Sequence, residues 1–216
     1  MVQETAEPPD WRESRRRSAQ SVIVQAAWSV VHEDGLAALS LRDLARRAGI
    51  TTPTVYAYFA SKNDIYDAMF CEAAEQFELS ATAPYDVDDP RQVLVASVHR
   101  FVDFCTSDLA RYQLLFQRAI PGFEPSAASY APAVRTLARV QDQLAAIGIA
   151  DGKYVDMWTA WTTGLVDQQI ANDPGGDRWI RLIEDFVAMF LAHCSPAGPR
   201  APDPAPRRTR PRRTSP

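Results

Sequence analysis

Two Ser-x-x-Asp sequences, Ser40 to Asp43 and Ser61 to Asp64, lie within thirty residues of one another, with Gly49 and Pro53 between them. That arrangement admits only short helices there. A serine ahead of an apolar stripe accepts from a backbone N–H of the first turn, and an acidic residue three positions on answers it, so each pair marks a helix start. After Ser40, the residues Leu41, Leu44, Ala45 and Ala48 share one face. Gly49-Ile50 turns the chain, and Thr51 or Thr52 caps a third helix running through Phe59. Pro53 falls in its first turn, where a missing N–H costs little. Ser61 opens a fourth, longer helix carrying Ile65, Ala68 and Met69. Upstream, the pairs Val22/Ile23, Ala26/Ala27 and Val30/Val31 recur every four residues, a helical face that Gly35 closes.

The remainder reads the same way. Ala83 to Asp89 is a linker, and Asp89-Pro90 restarts a helix that runs to about Cys105. Ser107 or Asp108 begins the next, which Pro121-Gly122 stops. A helix from Ser126 to Ile147 ends at Gly148, and Asp151 starts a long one through Asn172. The breaker Asp173-Pro174-Gly175-Gly176 precedes a last helix ending near His193. The period-2 alternation of strands is absent, so the sequence predicts an all-α chain of about nine helices. It divides into a flexible arm (1–17), a three-helix head (18–66), a helical body (67–194) and a disordered Pro/Arg-rich tail (195–216).

Charge separates head from body. The net charge is −4, yet residues 11–62 hold eight basic side chains against four acidic ones, while 68–195 hold nine against seventeen. The tail has six arginines and one aspartate. A basic head beside an acidic body fits a polyanion-binding unit, and an unevenly charged surface fits it too. The tail arginines suit either added phosphate contacts or a plain solvated extension.

Several function classes drop out. Cys71, Cys105 and Cys194 are scattered without CxxC spacing, which argues against a disulfide framework and against zinc. His32, His99 and His193 are equally dispersed, so no metal site is expected. No Gly-rich phosphate loop and no Gly-x-Ser-x-Gly occurs, and the reading is neither an enzyme nor a cofactor protein. Nothing basic adjoins Cys71 or Cys105 to make a reactive thiolate. No apolar run is long enough to cross a membrane or serve as a signal peptide, which places the expectation in the cytoplasm.

Two short helices joined by a tight glycine turn are the helix-turn-helix arrangement, whose second helix enters the major groove. At about 100° per residue, Val55 and Phe59 face inward while Pro53, Thr54 and Ala57 face away. Small outward residues let the backbone approach base edges, and Tyr56 and Tyr58 offer hydroxyls at the margins, where phosphates run. Lys62 and Arg42 each sit in a helix's first turn, the wrong end for a cation, a conflict that a bound phosphate removes.

The run Thr54-Val55-Tyr56-Ala57-Tyr58-Phe59-Ala60-Ser61-Lys62, followed by Asp64-Ile65-Tyr66, resembles the DNA-binding head of the TetR family over about residues 18 to 70. Position by position, that resemblance implies base-edge contacts from Arg42, Thr52, Pro53 and Thr54. It implies phosphate contacts from Tyr56, Tyr58 and Lys62, and a recognition-helix cap at Thr51. Thr52 stands where a basic or Gln-like residue is usual, and Tyr58 where His is commoner. The implied activity is sequence-specific transcriptional regulation, as a repressor released from a palindromic operator by an apolar small-molecule inducer.

The same resemblance makes the body a ligand-binding and dimerisation domain. A homodimer would form through the last two helices, where Trp158, Trp161, Leu165, Phe186, Phe190 and Leu191 divide between the interface and the protomer's own core. A pocket among the central helices would draw on Phe101, Phe104, Cys105, Tyr112, Phe116, Met157, Trp158 and Trp161, with Gln168, Thr162 or Arg118 as polar anchors. Aromatic and sulfur side chains at helical spacing serve equally as core.

Overall fold

A computed structural model describes residues 11–194. Its α-helices are α1 (Trp11–Asp34), α2 (Leu41–Arg47), α3 (Thr52–Tyr58), α4 (Lys62–Thr82), α5 (Pro90–Ser107), α6 (Leu109–Phe116), α7 (Ala127–Ala145), α8 (Gly152–Asn172) and α9 (Ile183–Cys194). Short 3-10 turns, Leu36–Ala38 and Ile180–Leu182, precede α2 and α9. Among the described residues there is no strand, and no helix is long and apolar enough to cross a membrane.

Two apolar cores organise the chain. The first gathers Ile23, Ala27 and Val30 of α1, Leu44 of α2, Val55 of α3 and Ile65, Tyr66 and Met69 of α4. The second gathers Leu94, Val98 and Val102 of α5, Leu144 of α7, Trp158 and Val166 of α8, and Val187 and Phe190 of α9. α4 belongs to both regions, because Phe77, two turns beyond Phe70, packs against Phe101, Phe104 and Phe116. The head–body boundary drawn at residue 66 therefore falls inside a continuous helix. Met69, Phe70, Ala73 and Ala74 still pack in the first core, joined there by Leu114 and Phe123 from the body.

α7 lies along α4 and is tied to it by polar contacts at its start and at its middle. Asp67 accepts from the Ser126 backbone N–H (2.6 Å) and from the hydroxyls of Ser126 (2.9 Å) and Ser129 (2.8 Å). Arg135 forks onto Glu78, donating from Nε (2.5 Å) and Nη2 (2.6 Å), which holds the Glu78 carboxyl below its ordinary pKa. These ties and the packing along α4 keep α7 continuous through Pro132, which lacks the N–H for Ala128.

Two boundaries differ from the sequence reading. Trp11 to Arg17, assigned to a flexible arm, form the first two turns of α1; residues 1–10 and the tail lie outside the described residues. α6 ends at Phe116 rather than at Pro121-Gly122. The chain leaves it early because Phe123 turns back into the head core, with ring centroids 5.8 Å from Tyr66 and 6.4 Å from Phe70. Arg118 accommodates that reversal in the left-handed region at φ 46°.

Candidate nucleic-acid interface and interior cavity

The helix-turn-helix is locked by its own backbone. Ser40 accepts from the Asp43 N–H at 3.1 Å, and its hydroxyl donates to the Asp43 carboxylate at 2.6 Å. That carboxylate thus takes the hydroxyl instead of reaching back to the Ser40 backbone N–H, and with Arg46 it is held below its ordinary pKa. At the other end of α2, the Ile50 N–H reaches the Ala45 carbonyl (3.0 Å) and the Gly49 N–H reaches Arg46 (3.3 Å). This pair of bonds requires a left-handed residue between them, and Gly49 supplies it at φ 68°. Thr51 caps α3, accepting from the Thr54 N–H at 3.3 Å, and the two threonine hydroxyls are 2.8 Å apart. Ser61 and Asp64 form a reciprocal box at the start of α4, with bonds of 3.0 and 3.2 Å.

This framework decides which side chains face out. Val55 and Phe59 are buried, Pro53, Tyr56 and Ala57 are exposed, and Thr52, Thr54 and Tyr58 are half-buried. Of the arginines on α2, Arg46 pairs with Asp43 and Arg47 with Glu33 of α1, but Arg42 makes no ion pair with any described residue. Lys62 sits over the Tyr66 ring at 5.3 Å, a contact that eases its position at a helix N-terminus. Arg42, Thr51, Thr52, Pro53, Thr54, Tyr56, Tyr58 and Lys62 thus all lie on α2, on α3 with its cap, or in the first turn of α4. The sequence reading missed α1 here. Gln20 donates to the Tyr58 carbonyl at 3.4 Å, and the Arg16 guanidinium stands 5.8 Å from the Tyr58 ring centroid. The signal was available in the spacing of Arg12, Arg16 and Gln20, one row of a helix.

The body holds a cavity of about 240 Å³ walled by α4, α5, α6, α7 and α8. Phe101, Phe116 and Trp158 line it, as does Thr162, whose hydroxyl donates to the Trp158 (2.9 Å) and Thr159 (3.2 Å) carbonyls. The other residues assigned to a pocket sit elsewhere. Phe104 packs behind the wall on Phe77, and Cys105 is wholly buried, its thiol pKa pushed up by desolvation and then by Asp167. The buried Tyr112 hydroxyl donates to Asp167 at 2.7 Å. Met157 is exposed, and Trp161 stacks on Phe186 of α9 at 4.7 Å. Arg118 pairs with Glu124 at the surface, and Gln168 accepts from Asn172. On α8 the physical cause is the helix's rotation, which turns Trp158, Thr162 and Leu165 inward and Met157 and Gln168 outward. Sequence reasoning also missed the walls from α4 and α7, including Phe77, Thr136, Val140 and Gln143, and Tyr85 and Arg100 at the linker.

Among the described residues no group of His, Cys, Asp and Glu is placed to hold a metal ion. Burial raises the thiol pKa of Cys71 and Cys194 as well, the opposite of an activated thiolate.

Residues 23–69, from the middle of α1 through α2 and α3 to the first two turns of α4, match the sequence profile described as bacterial regulatory proteins, tetR family. The tetR-family match thus covers the DNA-binding head, 47 of the chain's 216 residues. One relative, the HTH-type transcriptional activator FasR of Mycolicibacterium smegmatis, is 30% identical over 103 residues, 47% of each chain. The match thus spans about half the length of that relative. The regulatory protein SCO4313 has the same fold at a TM-score of 0.67, with 21% identity over 85% of this chain and all of that one. RolR, solved in complex with resorcinol, superposes with a TM-score of 0.58 and 17% identity, over 88% of this chain and 99% of its own. These TetR-fold neighbours share the helix-turn-helix head and the helical body.

Proposed function

We propose that the chain is a homodimeric, sequence-specific transcriptional regulator acting in the cytoplasm, a repressor that leaves a palindromic operator when an apolar small molecule enters the body cavity. The observation that carries this reading is α4. Its 21 residues span about 30 Å, beginning at Lys62 on the outward face of the head and ending beyond Phe77 at the cavity wall. A ligand that pushes on Phe77 acts on the same rigid helix that sets the head. A compound that binds the spread arrangement better than the DNA-competent one shifts the population off DNA.

The DNA contacts follow from the exposed face of α3 and its neighbours. Arg42, Thr52, Pro53 and Thr54 read base edges, Tyr56, Tyr58 and Lys62 hold phosphates, and Thr51 caps the recognition helix beside them. Two such heads, about 34 to 36 Å apart in a two-fold dimer, meet one face of an inverted repeat. For the dimer, α8 and α9 carry Met157 and Met189, 43% and 61% exposed in the single protomer, apolar surface that a partner copy would cover. A cavity with aromatic walls suits an apolar or aromatic inducer, and resorcinol in RolR is an aromatic precedent.

Selection of a randomised duplex library on purified full-length protein tests the reading. An inverted repeat among the recovered sequences is expected, bound by a species of twice the protomer mass. Recovery of no motif across a range of salt concentrations would sink it. A reporter driven from the recovered sequence then separates repression from activation.

A further inference from the structure

We infer that the first two turns of α1 are a second DNA-contacting element, in which the row Arg12–Arg16 holds phosphates of the duplex beside the recognition helix. The inference rests on the DNA-binding reading and adds residues that neither the sequence motif nor the matched segment 23–69 includes.

Three observations carry it. Residues 11–18 are exposed, whereas Ile23 is 1% exposed, so the start of α1 stands clear of the core that the rest of the helix helps to build. Arg12, Arg16 and Gln20 follow one another at four-residue spacing and so form a single row. That row meets the C-terminal end of α3: Gln20 donates to the Tyr58 carbonyl, and the Arg16 guanidinium lies over the Tyr58 ring. Tyr58 is itself at the margin where a docked duplex would bring its backbone.

The concentration of charge there is unfavourable within the protomer. Arg12 lies in the first turn, at the positive end of the helix dipole, and Arg15, Arg16 and Arg17 crowd the next turn, with Glu13 the only acidic residue among them. Arg15, Arg16 and Arg17 make no ion pair with any described residue. A polyanion reverses the sign of that cost. Exposed arginines at the edge of a recognition unit engage phosphates, contacts that fix register without reading sequence.

The test uses the duplex selected by the full-length protein. Dissociation constants over a salt series are compared for the unsubstituted protein, R12Q/R16Q, R12K/R16K and R17Q. The slope of log affinity against log salt should fall by about 0.9 for each phosphate that the protein ceases to neutralise, about 1.8 per protomer in R12Q/R16Q. R12K/R16K should restore it, and reselection with R12Q/R16Q should return the same consensus. An unchanged slope in R12Q/R16Q overturns the inference. So does an equal fall per charge in R17Q, which would assign the effect to net charge, and so does an altered consensus, which would assign it to base reading. Failure of the unsubstituted protein to select any duplex is a different result, and it overturns the DNA-binding reading beneath this one.

Discussion

The phenolic hydroxyl of Tyr66, on α4, donates to the backbone carbonyl of Leu36 at 2.6 Å, in a core where Tyr66 is 1% exposed. This bond ties the helix that leaves the head to the turn that follows α1. Tyr66→Phe leaves the carbonyl only the longer bond from the Leu39 N–H (3.5 Å) and should cost about 0.5 to 1.5 kcal/mol of stability, read from the denaturant midpoint. Burial pushes the Tyr66 pKa up from 10.0 to about 12. The folded state therefore holds its proton more tightly than the unfolded chain. The contribution is complete below pH 10 and is lost as pH rises toward 12, so alkaline unfolding should begin earlier for proteins with this tyrosine than for Y66F, relative to each one's neutral stability.

Gly49 is the second position where one residue holds the head. A Cβ there meets nothing within 4 Å, so the penalty for Gly49→Ala comes from the backbone alone, at φ 68°. About 1 to 2 kcal/mol is expected, and Gly49→Asn should lose less because asparagine tolerates the left-handed region. Thermal melts of the three proteins check the order.

Arg42 and Lys62 separate two kinds of DNA contact. Arg42→Ala should weaken the selected duplex by about 1 to 3 kcal/mol and relax preference at one base position. Lys62→Gln should weaken all sequences alike and lower the salt slope by about 0.9 per half-site. Binding to a panel of single-base operator variants at two salt concentrations distinguishes them; the reverse pattern would exchange the roles.

Ala133, half-buried on α7, lines the cavity. Ala133→Phe should fill much of the space and abolish release of operator by ligand, while operator affinity without ligand changes little. Titrating an inducer found by screening against both proteins checks this. Retained release would place the ligand elsewhere.

Much of the head was legible from the sequence because its signals are local. Ser40, Gly49, Thr51, Pro53 and Ser61 act through backbone groups within a few positions of themselves, so spacing alone fixes where α2, α3 and α4 begin and where the first two end. The same locality explains the starts of α5, α6, α7 and α8 at Asp89, Asp108, Ser126 and Asp151, each accepting from a nearby backbone N–H. The pocket was less legible. Phe101, Phe116 and Trp158 face the cavity, yet Tyr112 and Trp161, equally aromatic, turn to Asp167 and Phe186. Composition offered no means of telling them apart.

The sequence by itself determined the order of the helices, most of their ends and the inward stripe of α3, since these depend on caps, turns and periodicity along one segment. Only the tertiary structure decided that Phe123 reaches back to Tyr66, that α4 serves both cores, and that the start of α1 runs beside Tyr58. Each is a contact between segments far apart in the chain. Such contacts are set by how whole helices rotate and pack to bury apolar surface, a balance that no local pattern records.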